Sequence, residues 1–458
     1  MAEPVAGRDL IRALLVTLLL GTSAGAQAIR VTSPTEIARE TEPRRFTEPH
    51  LAVQPGNPDH LLVGAFIVPA SGTTEAIHAG ERCATFASRD GGSTWSRHEF
   101  AFVDCGDPQV ALLPDGQAVF LALAEIPGLV PKRNSWLFAF HSTDGGVNWD
   151  DLPTVLGRPH DHPAVAIDTG STTRAGWVYV TTHHDPRDGN GRVSERLFVA
   201  RSRDGGRTFD APVTVRPNSL PTSGEMPVVL ADGTIVASFV DNPTFARRRA
   251  WVVLSSDGGT TFSEPLFVTD ACGPPPGFQL SALAVDTSDG PFRDRLYFAC
   301  RQSDGGRIVV TASGDRGDSW NRPGVEVGPG GTNAEARRVM TLAVNNRGVL
   351  GVLTVQRTAA SDPCLETDFS ASLDGGATFT PPARVSVSAC GTSPVDVIAG
   401  RMMPTYGDYF GLVTTPDGRF RAVWPEMRDG HSVLLTAIVE VDGHATAAVI
   451  RSKGLQRD

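Results

Sequence analysis

The chain has 458 residues, 40% of them hydrophobic, and a formal net charge of −10. That hydrophobic content suffices for a folded core and argues against a disordered chain, and the acidic balance argues against a nucleic-acid binder. Its 48 glycines and 34 prolines are spread along the chain and favour many short strands over long helices, while Lys132 and Lys453 are the only lysines beside 39 arginines.

The first element in chain order is an export signal. Arg8 and Arg12 flank the start of an apolar run, 13–20, and small residues follow up to Ala26-Gln27-Ala28. A charged region, a short apolar core and a small-x-small site define a secretory signal peptide, and the run is too short for a stable membrane anchor. The expectation is a signal peptide over 1–28, cleaved after Ala28, and a secreted or periplasmic protein without a membrane span. Six cysteines suit an oxidising compartment. Six thiols allow 15 pairings; spacing favours neighbours, Cys83 with Cys105, Cys272 with Cys300 and Cys364 with Cys390.

Length alone suggests about three domains, but an internal repeat overrides it. The pattern Ser-x-Asp-x-Gly-x-Thr-aromatic recurs as SRDGGSTW from Ser88, STDGGVNW from Ser142, SRDGGRTF from Ser202, SSDGGTTF from Ser255, SGDRGDSW from Ser313 and SLDGGATF from Ser372. Consecutive copies start 53–60 residues apart. The motif reads as a hairpin turn: Asp accepts hydrogen bonds from the following backbone N–H groups, Gly supplies positive φ, and the aromatic packs beneath. Asp90, Asp144, Asp204, Asp257, Asp315 and Asp374 therefore read as structural rather than catalytic.

These six copies resemble the Asp-box, or bacterial neuraminidase repeat, family of β-propellers, which includes the sialidases. The resemblance covers most of the chain after residue 28 and implies an all-β propeller of four-stranded antiparallel blades with the boxes at turns. Two strand-like runs precede each box, and a seventh pair, FGLVT at 410 and FRAVW at 420, is followed by a hairpin instead. The count predicts seven blades within a single domain, 29–458, with six as the alternative because sialidases of this family usually have six. Residues 29–35 read either as an outer strand closing the ring or as a lead-in.

In such a blade the boxes occupy the C–D turns. Ligands gather at the opposite face, where chains enter strand A and leave strand B. Three groups of candidates fall there. Arg301, Arg357 and Arg428 leave strand B in successive blades, with Arg337 and Arg338 nearby, and converging guanidiniums would bind a carboxylate. Tyr406, Asp408 and Tyr409 share the segment TYGDYFGL. His160, Asp161, His162, His183, His184 and Asp185 cluster on one blade, where they would ligate a metal ion or contact sugar hydroxyls. No organic cofactor is expected.

The resemblance to sialidases implies a tyrosine nucleophile activated by a glutamate, an aspartate general acid/base, and an arginine triad. The family order is reproduced by Arg45, then Asp107 or Asp161, Glu225, Arg301 with Arg337, and Tyr406 or Tyr409. The Phe/Tyr-Arg-Ile-Pro signature is absent; the corresponding stretch reads RRFTEPHL, with Arg45 a stand-in. The leading expectation is a monomeric, secreted exo-α-sialidase-type hydrolase acting on acidic sugar termini. The alternatives are a hydrolase or lyase for another acidic glycan, and a non-catalytic propeller binding glycan or protein. A deep central pocket and converging Arg301, Arg337 and Arg357 would distinguish them.

Overall fold

A computed structural model describes residues 29–446 except 130–135, 158–159, 171, 185–195, 216–221, 245–246, 274–280, 303–306, 329–337, 358–364, 389–394, 399–400, 405–406 and 408. The signal-peptide expectation falls outside the described residues, as do Cys364 and Cys390.

The chain enters through two short strands, β1 (Ile29–Val31) and β2 (Thr35–Arg39), and then builds blades in succession. Blade 1 is β3 (Arg44–Gln54), β4 (Asn57–Pro69), β5 (Arg82–Ser88) and β6 (Ser96–Glu99), with a short helix, α1 (Thr74–Gly80), between β4 and β5. Blade 2 is β7 (Val103–Leu112), β8 (Ala118–Glu125), β9 (Trp136–Ser142) and β10 (Thr154–Gly157). Blade 3 is β11 (His160–Ile167), β12 (Val178–His184), β13 (Arg196–Ser202) and β14 (Val213–Thr214). Blade 4 is β15 (Thr222–Val229), β16 (Ile235–Thr244), β17 (Arg247–Ser255) and β18 (Leu266–Thr269). Blade 5 is β19 (Ala282–Val285), β20 (Leu296–Arg301), β21 (Ile308–Ser313) and β22 (Val325–Val327). Blade 6 is β23 (Arg338–Val344), β24 (Leu350–Arg357), β25 (Leu365–Ser372) and β26 (Ala383–Val387). A separate hairpin, β27 (Val395–Ile398) with β28 (Arg401–Pro404), precedes blade 7, whose strands are β29 (Gly411–Thr414), β30 (Phe420–Arg428) and β31 (His431–Val441).

Both N-terminal strands pair antiparallel with β31, β1 at Ile29↔Val441 and β2 at Thr35↔Thr436. The start of the described chain thus completes the last blade. The fold is an all-β propeller of seven blades, and residues 29–35 belong to the closing strands. The six-blade alternative is excluded because all seven sheets are present.

Blade faces are covered by neighbouring blades on both sides, so middle strands read as continuous apolar runs rather than alternating ones. β21, for example, is buried at all of its residues. Between blades 1 and 2, Phe100 stacks on Phe120 at 4.4 Å and contacts Phe140 and Trp149.

Each Ser-x-Asp-x-Gly motif forms the C–D turn of its blade. In the first, Ser88 Oγ donates to Asp90 Oδ1 (2.9 Å) and accepts from the Gly92 N–H (2.8 Å). Asp90 also accepts from the Thr94 N–H (2.9 Å) and the Thr94 hydroxyl (2.6 Å). The left-handed φ of Gly91 and Gly92 aims their backbone inward, which a Cβ would oppose. All six carboxylates lie below their ordinary range. At Asp90, pushed to about 2, the Thr94 hydroxyl dominates; at Asp144 burial works the other way and the turn's hydrogen bonds outweigh it.

The first turn glycine also ties blades together through its carbonyl oxygen. Gly91 accepts from Arg421 (2.8 Å), Gly258 from Arg201 (2.7 Å) and Gly375 from Arg295 (2.9 Å), each arginine coming from the preceding blade. His60 Nε2 lies 3.0 Å from Gly145 O. Several of the arginines thus have structural work on the turn face. On the opposite face, Cys83–Cys105 joins blade 1 to blade 2, and Cys272–Cys300 joins the segment after β18 to β20.

Candidate functional site

The innermost strands of four consecutive blades carry a β-bulge at the same place, where the chain enters strand A. Register shifts fall between Thr47 and His50, Gly106 and Gln109, Asp161 and Ala164, and Ser223 and Met226. In the first three, the bulged residue precedes a proline and adopts left-handed φ: Glu48 (50°), Asp107 (51°) and His162 (45°). A non-glycine residue there stores backbone strain, and such strain concentrates at functional sites. The proline cannot donate to the sheet ladder, which favours a bulge.

The bulges bring two carboxyl groups to one backbone N–H. The His162 N–H lies 3.0 Å from Asp107 Oδ2 and 3.0 Å from Asp161 Oδ1. The two side chains also share a hydrogen bond. Asp107 is buried, whereas the Asp161 side chain is 52% exposed. Burial is the main influence pushing Asp107 up to about 6; nearby His162 opposes it, and Asp161 adds to it through charge and the shared hydrogen bond. Two carboxyl groups this close hold one proton between them more readily than two negative charges.

Beside this pair runs a cavity of about 400 Å³ along the propeller axis, lined by innermost strands of all seven blades. His50, Gln109, His162, Met226, Met340 and Tyr409 are in its wall. Tyr409 reaches from blade 7 to blade 2, where its hydroxyl donates to the Pro108 carbonyl oxygen at 3.3 Å. Gly407, in the same segment, packs so closely on Glu48 that a Cβ would lie 2.1 Å from Glu48 Cγ. Asp107, Asp161 and Tyr409 are therefore neighbours around one end of the axis.

The other sequence candidates divide by position. Tyr406, Asp408, Arg337 and Asp185 lie outside the described residues. Glu225 falls in the blade 4 bulge, and the Arg338 and Arg357 backbones sit at one end of blade 6, since Arg338 pairs with Gln356. Arg301 ends β20 and is buried. Arg45 lies in β3, and burial lowers the pKa of its guanidinium. Arg428 is engaged by Glu426 in its own strand (3.1 Å), and Glu426 also accepts from Ser386 at 2.7 Å. Among the described residues lining the axial cavity there is no arginine.

The histidine cluster is redrawn by the fold. His160 pairs with His184, and Asp161 with His183, across β11 and β12. The described group able to offer three ligand atoms within 4.8 Å of one another is Asp107, Asp161 and His162. His162 is the histidine of that group among the described side chains; the side chains of His160, His183 and His184 lie outside them. His50 went unrecognised in the sequence, although Glu48-Pro49, Asp107-Pro108 and His162-Pro163 form a readable repeat at the strand A entries.

No protein-family profile and no curated protein matches the sequence. Similar solved structures include a Dyadobacter fermentans protein of unknown function, 14% identical, with a TM-score of 0.49 over 90% of this chain and 99% of that one. A Hadza microbial sialidase, Hz136, is 16% identical, with a TM-score of 0.44 over 78% and 72%. A GH93 α-L-arabinofuranosidase of Fusarium graminearum, solved with arabinobiose, is 14% identical, with a TM-score of 0.47 over 71% and 92%. The resemblance read from the repeat holds at the level of fold on the chain's own seven blades.

Proposed function

We propose that the protein is an exported glycoside hydrolase whose proton donor is the Asp107–Asp161 pair. The observation that carries this reading is a buried carboxyl raised to about 6, hydrogen-bonded to a half-exposed one, both held by the N–H of His162, which lines the axial cavity. Glycosidic cleavage needs a carboxylic acid still protonated near neutrality. Asp161, the solvent-facing member, gives the pair's proton to the glycosidic oxygen as the bond to the anomeric carbon breaks. Asp107 holds the pair's remaining proton affinity, and the strained His162 N–H fixes both carboxyls. Water then supplies hydroxide to the anomeric carbon and returns a proton to the pair. Export agrees with the two disulfides.

The sialidase-type form of this reading is favoured by Tyr409, which stands against Pro108, one residue beyond Asp107. Tyr409 would be the nucleophile, and Arg301, Arg338 and Arg357, at the entry ends of blades 5 and 6, would receive a sugar carboxylate. The test is a panel of fluorogenic glycosides: an α-sialoside, a β-glucuronide and an α-L-arabinofuranoside. Wild type should turn over at least one, with a pH profile bending near 6. Asp161→Asn should lower kcat by about 10²–10⁴-fold. Sialoside turnover lost in Tyr409→Phe supports the sialidase form; turnover only of a neutral glycoside removes it. No turnover of any member, by protein shown to be folded, removes the hydrolase reading.

A further inference from the structure

The axial cavity contains a polar group that the proton donor does not use. His50 follows the Glu48–Pro49 bulge and lines the cavity beside Gln109 and Tyr409. Its Nδ1 accepts the Val110 N–H at 3.1 Å, from the innermost strand of the next blade. An imidazole nitrogen that accepts a hydrogen bond carries no proton, so the neutral ring keeps its proton on Nε2. Burial pushes the His50 ring down to about 4, so it stays neutral while Asp107 titrates. Titratable groups on and beside the surrounding inner strands include Glu48, Asp107, Asp161, His162 and Tyr409. Much of the neighbouring wall is apolar, including Leu51, Ala52, Val110 and Ala111. An N–H held in such a wall by a bond to a second blade is a fixed donor, and fixed donors confer orientation in a pocket that is otherwise apolar.

We infer that His50 is a substrate-binding residue whose Nε2–H donates to an oxygen of a saccharide seated in the axial cavity. The ligand class rests on the glycosidase reading above; the donor itself rests on the Val110 contact. Because the Val110 bond holds the ring from behind, the donor neither rotates away nor changes charge across the working pH. His50 should therefore act on KM, whereas the Asp107–Asp161 pair acts on kcat.

Two measurements on the full chain test this. The first is long-range nitrogen–proton NMR of the histidine rings between pH 5 and 8, alone and with millimolar sialic acid, glucuronic acid or galactose. His50 should remain the neutral Nε2–H form throughout, and at least one sugar should shift Nε2. The second is kinetics on the best glycoside of the panel. His50→Phe should raise KM about tenfold, the loss of one hydrogen bond, with kcat within threefold. His50→Gln, which retains an acceptor for Val110 and a donor for the ligand, should stay within threefold of wild type. A thermal melt of each variant identifies a folding defect. An Nδ1–H ring, titration above pH 6, or an unchanged KM in folded His50→Phe overturns the inference. If no glycoside is turned over, the hydrolase reading fails by itself, and the ring's tautomer and response to sugars still decide His50; a ring that no sugar moves overturns it.

Discussion

Asp90 and Asp107 lie at opposite ends of the propeller and titrate in opposite directions. Asp90 sits in a C–D turn with hydroxyl and backbone donors on both oxygens, and is pushed to about 2. Asp107 sits where strand A begins, buried beside another carboxyl, and is pushed to about 6. Donors that satisfy a carboxylate fix it as charged and make it part of the scaffold; burial beside a like group leaves it able to hold a proton. The same residue type thus builds the fold on one face and can hold a proton on the other.

The strongest test of that contrast compares Asp107→Asn with Asp374→Asn on the substrate the glycoside panel identifies. Asp107→Asn should reduce kcat by about 10³-fold, since the pair loses its proton-holding member. Asp374→Asn, in the sixth turn, should leave kcat within twofold. Comparable losses in both would break the distinction between the faces.

The disulfide across blades 1 and 2 lies on the face that carries Asp107. It closes a sequence separation of 22 residues between Cys83 and Cys105. Replacing both cysteines by serine should cost about 3 kcal/mol on a chain-entropy basis, read by urea unfolding. The turn face should remain folded, so native-state hydrogen exchange should rise around Asp107 more than around Asp90.

A third measurement reads the two carboxylates by sign. Asp107 has a folded pKa above its unfolded value, so its contribution is present below about pH 4 and is lost as pH rises through about 6. Asp107→Asn should gain on wild type by roughly 2 kcal/mol between pH 4 and pH 8. The turn aspartates have depressed folded values, so their contribution is present above the ordinary carboxylate range and is lost as pH falls below it. Asp257→Asn should therefore fall behind wild type at pH 7, and the gap should narrow as pH falls from 4 to 2. Chemical denaturation at pH 2, 4, 7 and 8 checks both slopes.

The turn face was legible in the sequence because every contact of its motif is local: Ser88, Asp90, Gly92 and Thr94 meet within seven residues. Seven strand pairs were legible for the same reason. The axial site was legible only as separate names, since Asp107, Asp161 and Tyr409 meet through ring closure across hundreds of residues. Its bulges were written in the acid-Pro and His-Pro pairs, but the backbone donor that Asp107 meets, the His162 N–H, lies on another blade. His50 was hidden because its significance depends on Val110, which no local pattern pairs with it. Part of the arginine content serves the scaffold, since Arg201, Arg295 and Arg421 are bound to turn carbonyls.

Those arginines supply the gentlest test of the contrast. Arg421 is buried and donates from blade 7 to Gly91 of blade 1, across the junction that the N-terminal strands close. Burial lowers the pKa of its guanidinium, so desolvation offsets part of what the hydrogen bond contributes. Arg421→Met keeps much of the apolar stem and orphans the Gly91 carbonyl, a loss of about 2 kcal/mol for one charged hydrogen bond. A drop of that size in urea, with glycoside turnover unchanged at 25 °C, would assign the turn-face arginines to closing the ring. A fall in turnover at full folding would instead mean that the junction between blades 7 and 1 positions Tyr409, and that the two faces are coupled.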